Sequence, residues 1–187
     1  MPFNHFDLIA GLYNRTAQFC PSESLLEMLA LPLNALLLDV GGGTGRIAEV
    51  FRRMVREVVV ADTSRGMLRH AANKGLTTTC TPAERLPFAS FVFDRIIMVD
   101  TLHHVFDQQQ TILEIWRVLA PGGRIVIIEP DIGKFPVKLI ATGEKILLMR
   151  SHFLSVEGIT ALFVNLDIDL KVSFNEFNVW VCAEKVR

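Results

Sequence analysis

Short apolar runs alternate with helical stripes along most of the chain. Four runs are typical of central parallel strands that are covered on both faces: Leu36–Leu38, Val58–Ala61, Ile96–Val99 and Ile125–Ile128. Between them, apolar residues recur at helical spacing at Ile47, Val50, Phe51 and Met54, and again at Ile112, Ile115, Trp116 and Leu119. Strands that alternate with helices in this way predict βαβ units and a parallel sheet.

The carboxyl-terminal segment follows a different pattern. Residues Ile168–Phe174 alternate strictly between apolar and polar, which predicts a half-exposed strand near a sheet edge. The short connection Asn175–Phe177 then leads to a second apolar run, Asn178–Ala183. Because a parallel return needs a crossover of about a dozen residues or more, this link predicts an antiparallel hairpin.

The first predicted strand leads directly into a glycine-rich turn, Gly41–Gly45, and Asp39 lies two residues before the first glycine. A second acid, Asp62, ends the next predicted strand. Glycines let the backbone approach a ligand closely, and an acid at the tip of the next strand can accept hydrogen bonds from ribose hydroxyls. The pattern predicts a pocket for a cofactor that contains a nucleoside.

Two registers of this turn predict two different cofactors. The nicotinamide fingerprint G-x-G-x-x-G/A fits from Gly43 through Gly45 to Ala48, but it places Asp39 inside a buried strand, where an unpaired carboxylate is costly. If the turn begins at Gly41, Asp39 lies at the strand's end and faces the cofactor. A carboxylate there favours a ligand with a positive charge and an ammonium group. S-adenosylmethionine (SAM) carries both.

Further motifs follow the turn in order. They are Thr63–Leu68 directly after Asp62, Ala83–Phe88, Phe93–Ile97, Leu102–Val105 and Val118–Gly123, which is the expected turn before strand five, the run Ile125–Ile128. Together with the D-x-G-x-G-x-G turn, they resemble the motifs of the class I, Rossmann-like SAM-dependent methyltransferases. Within that family the sequence is most similar to the small-molecule enzymes that include the quinone and sterol methyltransferases. The resemblance spans residues 36–130.

The resemblance implies a doubly wound α/β fold. Its sheet has seven strands in the order 3-2-1-4-5-7-6 with strand 7 antiparallel, and the ligand lies at the switch point between strands one and four. We expect a single domain over residues 1–187, with cover helices in 1–34, a SAM-binding core in 35–130, and acceptor-side helices and the hairpin in 131–187. The apolar stretch Phe135–Phe153 is either a core-packing helix or a lid over the methyl acceptor.

The resemblance also assigns positions to SAM, with S-adenosylhomocysteine (SAH) as the product. In one respect this chain departs from the family, which often has an aspartate for the adenine amino group where this chain has Pro82, a residue with neither a carboxylate nor an N–H. Adenine recognition is then left to the Ala83 N–H, Glu84 or packing. The predicted cofactor-binding residues are Asp39, Gly41, Gly43, Gly45, Asp62, Thr63, Met67, Ala83, Glu84 and Asp100.

Few side chains are needed for the chemistry itself. Methyl transfer from a sulfonium is an in-line displacement in which orientation and dehydration supply much of the rate. A base is required only where the acceptor arrives protonated. His103 and His104 are the catalytic candidates, because histidine exchanges protons near neutral pH. The alternative is that this pair only packs around the cofactor loop. His152 is a second candidate base.

Composition limits the kinds of binding partner that the sequence predicts. The formal net charge of −1 gives no reason to expect nucleic acid as a partner, and Val99–Leu102 lacks the Asp/Asn-Pro-Pro-Tyr motif of methyltransferases that act on base amines, so we do not expect nucleic acid as the acceptor. The isolated Cys20, Cys80 and Cys182 indicate neither a metal site nor a disulfide framework. Half of the residues are hydrophobic, which fits a sheet covered on both faces and is compatible with a homo-oligomer. No signal peptide and no apolar stretch long enough to span a bilayer are evident, so we expect a cytoplasmic protein.

The sequence therefore predicts a SAM-dependent methyltransferase that acts on a small, apolar or aromatic molecule. A second hypothesis, motivated by Pro82, is a non-catalytic binding or scaffold protein with the SAM fold. An NAD-dependent oxidoreductase is the third.

Overall fold

The computed structural model describes residues 21–31, 34–134, 137 and 151–186. The strands are β1 (Leu36–Val40), β2 (Glu57–Asp62), β3 (Thr77–Cys80), β4 (Phe93–Val99), β5 (Leu119–Pro130), β6 (Ile168–Asn175) and β7 (Asn178–Lys185). The helices are α1 (Glu23–Leu29), α2 (Arg46–Phe51), α3 (Arg65–Asn73), α4 (Gln108–Val118) and α5 (Val156–Ala161), with a 3₁₀ turn at Leu102–His104.

The seven strands form one sheet in the order β3-β2-β1-β4-β5-β7-β6. Strands β1 to β5 pair in parallel, whereas β7 runs antiparallel to both β5 and β6. This arrangement confirms the predicted order and the antiparallel seventh strand. The order of the strands reverses between β1 and β4. The carboxyl ends of these two central strands therefore open a crevice at one end of the sheet.

Both faces of the sheet are covered, which explains the continuous apolar runs. On one face, Leu37 and Ile97 are buried with α1, α2 and α3 through a cluster that includes Leu25 and Phe51. On the other face, Leu38, Ile96 and Ile127 are buried with α4 and α5 through a cluster that includes Ile112, Ile115 and Ile159. Consecutive residues of one strand therefore enter opposite cores, as expected for a doubly wound fold.

Local capping fixes where two of the helices begin. The Ser64 side chain accepts a hydrogen bond from the Met67 backbone N–H at the start of α3, and the Asp107 side chain accepts one from the Gln110 N–H at the start of α4. Each cap satisfies an otherwise unpaired donor of the first helical turn. The cap on α3 places Met67 in the first turn of the helix, three residues after Ser64.

The predicted turn before strand five differs from the structure. The Pro121-Gly122-Gly123 segment lies inside β5, because Leu119 already pairs with Phe93 before the ladder shifts and Arg124 pairs with Arg95. Gly122 has a φ of +73°, a value that glycine adopts without steric cost. The segment is therefore an irregularity within a long strand. Leu119, predicted as the last residue of a helical stripe, belongs to that strand.

The carboxyl-terminal hairpin is confirmed. Strands β6 and β7 pair from Ile168 with Lys185 to Asn175 with Asn178, so only Glu176 and Phe177 remain in the turn. Two predicted segments fall largely outside the described residues. Of the amino-terminal cover region, α1 and its flanking residues are described, and of the predicted lid in 135–153 only residues 137 and 151–153 are described.

Candidate active site

The glycine turn after β1 is held close to the neighbouring strands. The Gly41 N–H donates to the Ala61 carbonyl at 2.7 Å, and the Gly45 N–H donates to the Gly42 carbonyl at 2.9 Å. Gly41 has a φ of +70°, and a Cβ added there would lie 2.1 Å from Cγ2 of Thr101. Only glycine fits at this position, because the turn after β1 packs directly against the turn after β4.

Asp62 joins the end of β2 to this glycine turn. Its Oδ2 accepts a hydrogen bond from the Gly43 N–H at 2.9 Å, and its Oδ1 accepts one from the Ser64 N–H at 2.7 Å. These bonds fix the direction of a half-buried carboxylate that lines the crevice. A carboxylate offers about four acceptor sites in total.

Asp39 lies at the base of the same crevice and is 1% exposed. Its Oδ2 has no hydrogen-bond partner among the described residues. Burial, followed by the negative charge of Asp62, raises the pKa of Asp39 to about 7, although the Ala48 backbone N–H and Arg46 oppose the shift. Strand β1 ends at Val40, so the turn begins at Gly41 as predicted.

One part of that prediction needs correction. The expected contrast between a costly buried carboxylate in one register and a cofactor-facing one in the other does not hold, because Asp39 is buried in the observed register too. It is nonetheless among the residues that line the crevice. A cationic group bound there would supply the partner that Asp39 Oδ2 lacks among the described residues.

A cavity of about 340 Å³ occupies the crevice between the carboxyl ends of β1, β2 and β4, and we call it the first cavity. Most of the predicted site residues line it: Asp39, Gly41, Gly43, Asp62, Thr63, Met67, Ala83, Glu84, Asp100 and His104. Two predicted residues do not line it. Gly45 packs toward Leu76 and Ala71, and His103 is buried behind the loop.

Glu84 connects the predicted adenine side to the loop before α4. Its Oε1 accepts hydrogen bonds from the Phe106 N–H at 2.7 Å and the Asp107 N–H at 3.2 Å. The segment around Pro82 is thereby tied to residues 105–107. Phe106 was not predicted as a site residue, yet it lines the first cavity and is 87% exposed. A phenylalanine directly after the Leu102–Val105 motif was the available sequence signal.

Glu129 organises the loop after β4, a role that the sequence did not indicate. The residue is 4% exposed at the end of β5. Its Oε1 accepts hydrogen bonds from the backbone N–H groups of Thr101 at 2.9 Å and Leu102 at 2.7 Å. Its Oε2 accepts one from His103 Nδ1 at 2.5 Å. One carboxylate therefore fixes three consecutive residues.

The two histidines have different surroundings. The His103 ring stacks on Phe153 with ring centres 4.2 Å apart and lies 4% exposed beside Glu129. His104 is half-buried and lines the first cavity, and its Nδ1 lies 3.3 Å from Oγ of Ser151. The backbone N–H of His152 donates to the His103 carbonyl at 2.7 Å. The loop after β4 is thus held on one side by β5 and on the other by residues 151–153.

Within the part of the chain that the structure describes, no group of three or more His, Cys, Asp or Glu side chains is arranged to hold a metal ion. Cys80 is exposed and Cys182 is buried, and neither forms a disulfide. None of the described helices has the length and apolar character needed to cross a membrane.

Comparison with known proteins agrees with this geometry. Residues 38–127 match a family model described as a methyltransferase domain. A demethylmenaquinone methyltransferase from Thermobifida fusca is 39% identical over 101 residues, which are 50% of this chain and 43% of that protein. A ubiquinone/menaquinone biosynthesis C-methyltransferase from Hahella chejuensis is 35% identical over 135 residues, or 66% of this chain and 54% of that protein. The chain thus spans about half the length of these relatives.

Solved structures show the same fold. A chain of the complex between the Haloferax volcanii Trm112 methyltransferase activator and its methyltransferase superposes with a TM-score of 0.81 at 14% identity, covering 100% of both chains. Geranyl diphosphate C-methyltransferase from Streptomyces coelicolor, solved with Mg²⁺, geranyl diphosphate and SAH, gives a TM-score of 0.74 at 14% identity over 88% of this chain and 77% of that one. Sequence and fold together confirm the resemblance to the class I, Rossmann-like SAM-dependent methyltransferases.

Proposed function

We propose that this protein is a SAM-dependent methyltransferase that methylates a small, neutral, apolar or aromatic molecule. The observation that carries the proposal is the pair of carboxylates, Asp39 and Asp62, on either side of the glycine turn. Asp39 is buried with an unpartnered oxygen, and Asp62 is aimed into the same cavity by two backbone N–H groups. The relatives named for quinone methylation support a ring acceptor of the quinol type.

The residues present fit SAM on three counts. A positively charged ligand offsets the cost of the buried Asp39 carboxylate. The lack of a side chain at Gly42 lets the turn lie against the Asp39 carboxylate, since a Cβ there would lie 2.5 Å from Cγ of Asp39. Asp62 lines the cavity with a carboxylate, a group that accepts hydrogen bonds from hydroxyls, and the buried Met67 offers an apolar surface to a base.

When bound, SAM supplies a methyl group on a sulfonium, so that the acceptor forms the new bond to carbon as the carbon–sulfur bond breaks, SAH leaves, and the acceptor loses one proton. The chain's own residues bind, orient and exclude water. Glu129 holds residues 101–103 in place from β5. His104 is the candidate that takes the acceptor's proton, because it lines the first cavity, whereas the buried His103 acts through Glu129 as a positioning residue.

The observed register disfavours a nicotinamide cofactor. Strand β1 ends at Val40, and Gly41 is already in the turn with a φ of +70°. The fingerprint beginning at Gly43 requires the strand to extend through Gly42. A scaffold protein with the SAM fold differs from an enzyme only in turnover, so binding and product formation have to be measured separately.

The first experiment is a thermal-shift titration of the wild-type protein with SAM, SAH, NAD and NADH. A ligand present at about a hundred times its dissociation constant stabilises the folded protein by about 2.7 kcal/mol. We expect stabilisation by SAM and SAH alone. Asp62→Asn should weaken SAM binding by roughly 1.5–3 kcal/mol through lost charge-assisted hydrogen bonds, and Asp169→Asn on the exposed edge of the sheet is the matched control.

The second experiment measures SAH formation with a panel of hydroquinones and phenols. Product with any acceptor, lost in Asp62→Asn and retained in Asp169→Asn, supports the enzyme. Tight SAM binding without SAH across the whole panel favours the scaffold protein. Stabilisation by NAD or NADH instead of SAM contradicts the proposal.

A further inference from the structure

Strand β6 forms one edge of the sheet, and β7 is the only described strand that pairs with it. Residues Ile168–Asn175 pair with β7 without a shift in register and include neither proline nor glycine. Edge strands are usually protected from pairing with another chain by a bulge, a proline or a very short length. Within the described residues β6 has none of these devices, so its outer edge is open to another strand.

The backbone groups on this outer edge follow from a hydrogen bond at the start of the strand. The Val186 N–H donates to the Asp167 carbonyl at 3.1 Å, so the backbone of Asp167 faces β7. Backbone groups of successive residues point to alternate sides of a strand, so those of Ile168, Leu170 and Val172 point away from β7. Their side chains are apolar, and that of Val172 is 38% exposed. A row of hydrogen-bonding groups therefore runs beside a partly exposed apolar row.

The other face of β6 carries two opposite charges. Asp169 and Lys171 are both exposed, and Oδ2 of the first lies 3.5 Å from Nζ of the second. If two copies of β6 pair antiparallel about a twofold axis at Leu170, Asp169 of each copy lies opposite Lys171 of the other. Opposite charges that face each other across two strands stabilise the pairing. The same axis places Ile168 opposite Val172, so the apolar rows also meet.

Other positions of the axis lose this complementarity. An axis at Asp169 or at Lys171 places that residue opposite the same charge of the second copy. An axis at Ile168 brings two pairs of aspartates together, and an axis at Val172 brings no opposite charges together. Like charges directly opposite each other destabilise a strand pair. Among these five positions, only Leu170 pairs opposite charges without also pairing like ones.

We infer that β6 joins two copies of this chain into an antiparallel dimer with its twofold axis at Leu170, so that the two sheets become continuous. The inference does not depend on the proposed function. Residues 168–172 of each copy face one another, whereas a stable interface uses about 20–30 residues a side. We therefore expect a dimer in reversible equilibrium with the monomer. Strands β5 and β7 separate β6 from the crevice, so SAH affinity should not depend on the dimer.

Sedimentation velocity from low to high micromolar protein measures the dimer dissociation constant of the full chain. Lys171→Asp sets aspartates of the two copies against each other, and Asp169→Lys sets lysines against each other. Each single variant should raise the dissociation constant at least tenfold. The double variant Asp169→Lys/Lys171→Asp restores opposite charges and should return to within threefold of the wild-type value. An equimolar mixture of the two single variants should form mixed dimers about as tightly as the wild-type protein, because each lysine then faces an aspartate.

The matched control is Arg53→Asp, which makes the same change of charge at an exposed residue after α2 and should stay within twofold of the wild-type value. Recovery of dimers in the mixture also shows that both single variants are folded. A wild-type protein that is monomeric at every concentration overturns the inference. Unchanged dissociation constants in both single variants overturn it too, because the interface then lies elsewhere. A double variant that dimerises as weakly as the single variants excludes the axis at Leu170.

Discussion

Asp39 shows how a binding site can retain a side chain that the folded protein alone does not favour. Its carboxylate is buried, and desolvation raises its pKa from 3.8 to about 7. Between these two values the folded protein binds more protons than the unfolded chain. The free energy of unfolding therefore falls as the pH rises from about 4 to 7, by at most about 1.4 kcal/mol per pH unit, and this group contributes no further change above pH 7.

Replacing Asp39 with Asn removes this titration. We expect the stability of Asp39→Asn relative to the wild-type protein to increase as the pH rises from 5 to 7 and then to level off. Urea unfolding at pH 5, 6, 7 and 8 measures the difference, with Asp169→Asn, which alters an exposed carboxylate, as the control. Parallel stability curves for the wild-type and Asp39→Asn proteins would show that Asp39 ionises normally. The same variant should bind SAH more weakly.

Glu129 differs from Asp39, because both of its carboxylate oxygens accept hydrogen bonds. We therefore expect Glu129 to stabilise the folded protein. Replacing it with Ala leaves the N–H groups of Thr101 and Leu102 and the Nδ1–H of His103 without their acceptor in a buried site. Each buried donor that is left without an acceptor typically costs about 1–3 kcal/mol, so Glu129→Ala should be strongly destabilised in urea unfolding. The exposed Glu27→Ala in α1 is the control, with a change within about 0.5 kcal/mol. If Glu129→Ala lost as little stability as Glu27→Ala, Glu129 would not anchor the loop after β4.

The sequence located Asp39 and Asp62 because each lies at the end of an apolar run beside a glycine turn. It did not locate the role of Glu129, since the partners of Glu129 belong to a loop more than twenty-five residues earlier in the chain. An acid that ends an otherwise apolar central strand was the only local signal. Residue types at strand ends can be predicted, whereas hydrogen bonds between neighbouring loops depend on the pairing of β4 with β5.

At the scale of elements, one glycine of the turn after β1 and one glycine of β5 allow backbone strain to be separated from steric overlap. Gly41 and Gly122 have nearly the same φ, +70° and +73°, but a Cβ at Gly41 would overlap Thr101 while one at Gly122 has nothing within 4 Å. Gly122→Ala should cost only the backbone term of about 1–2 kcal/mol. Gly41→Ala should cost a further 1–3 kcal/mol, roughly, for overpacking and should also weaken SAH binding.

Urea unfolding and SAH titration of the two glycine variants check this expectation. Equal destabilisation would mean that Thr101 moves aside without cost, and an unchanged SAH affinity in Gly41→Ala would separate the turn from the ligand site. The sequence predicted this turn and the hairpin well because both depend on local residue types. It misplaced the start of β5, because the pairing of Leu119 with Phe93 is a contact between distant segments.

At the scale of the whole molecule, the strand order determines where the ligand site lies. Alternating strands and helices predict a parallel sheet, and the order follows from the family resemblance. The reversal between β1 and β4 then determines where ligands gather. The sequence could not predict that residues 105–108 lie next to residues 151–154. These two segments line a second cavity of about 510 Å³ beside the first one.

Hydrogen exchange followed by mass spectrometry tests where along the sheet the ligand binds. SAH should slow amide exchange in peptides covering residues 39–46, 62–67, 81–84 and 99–106, since these segments line the first cavity. Exchange in the β6–β7 hairpin at the far edge should not change beyond the general slowing that global stabilisation produces. Protection confined to the hairpin, or spread evenly over all strands, would place the ligand outside the crevice. Because β3 and β6 are the outermost strands of the described sheet, their exchange without ligand gives the internal reference for local opening.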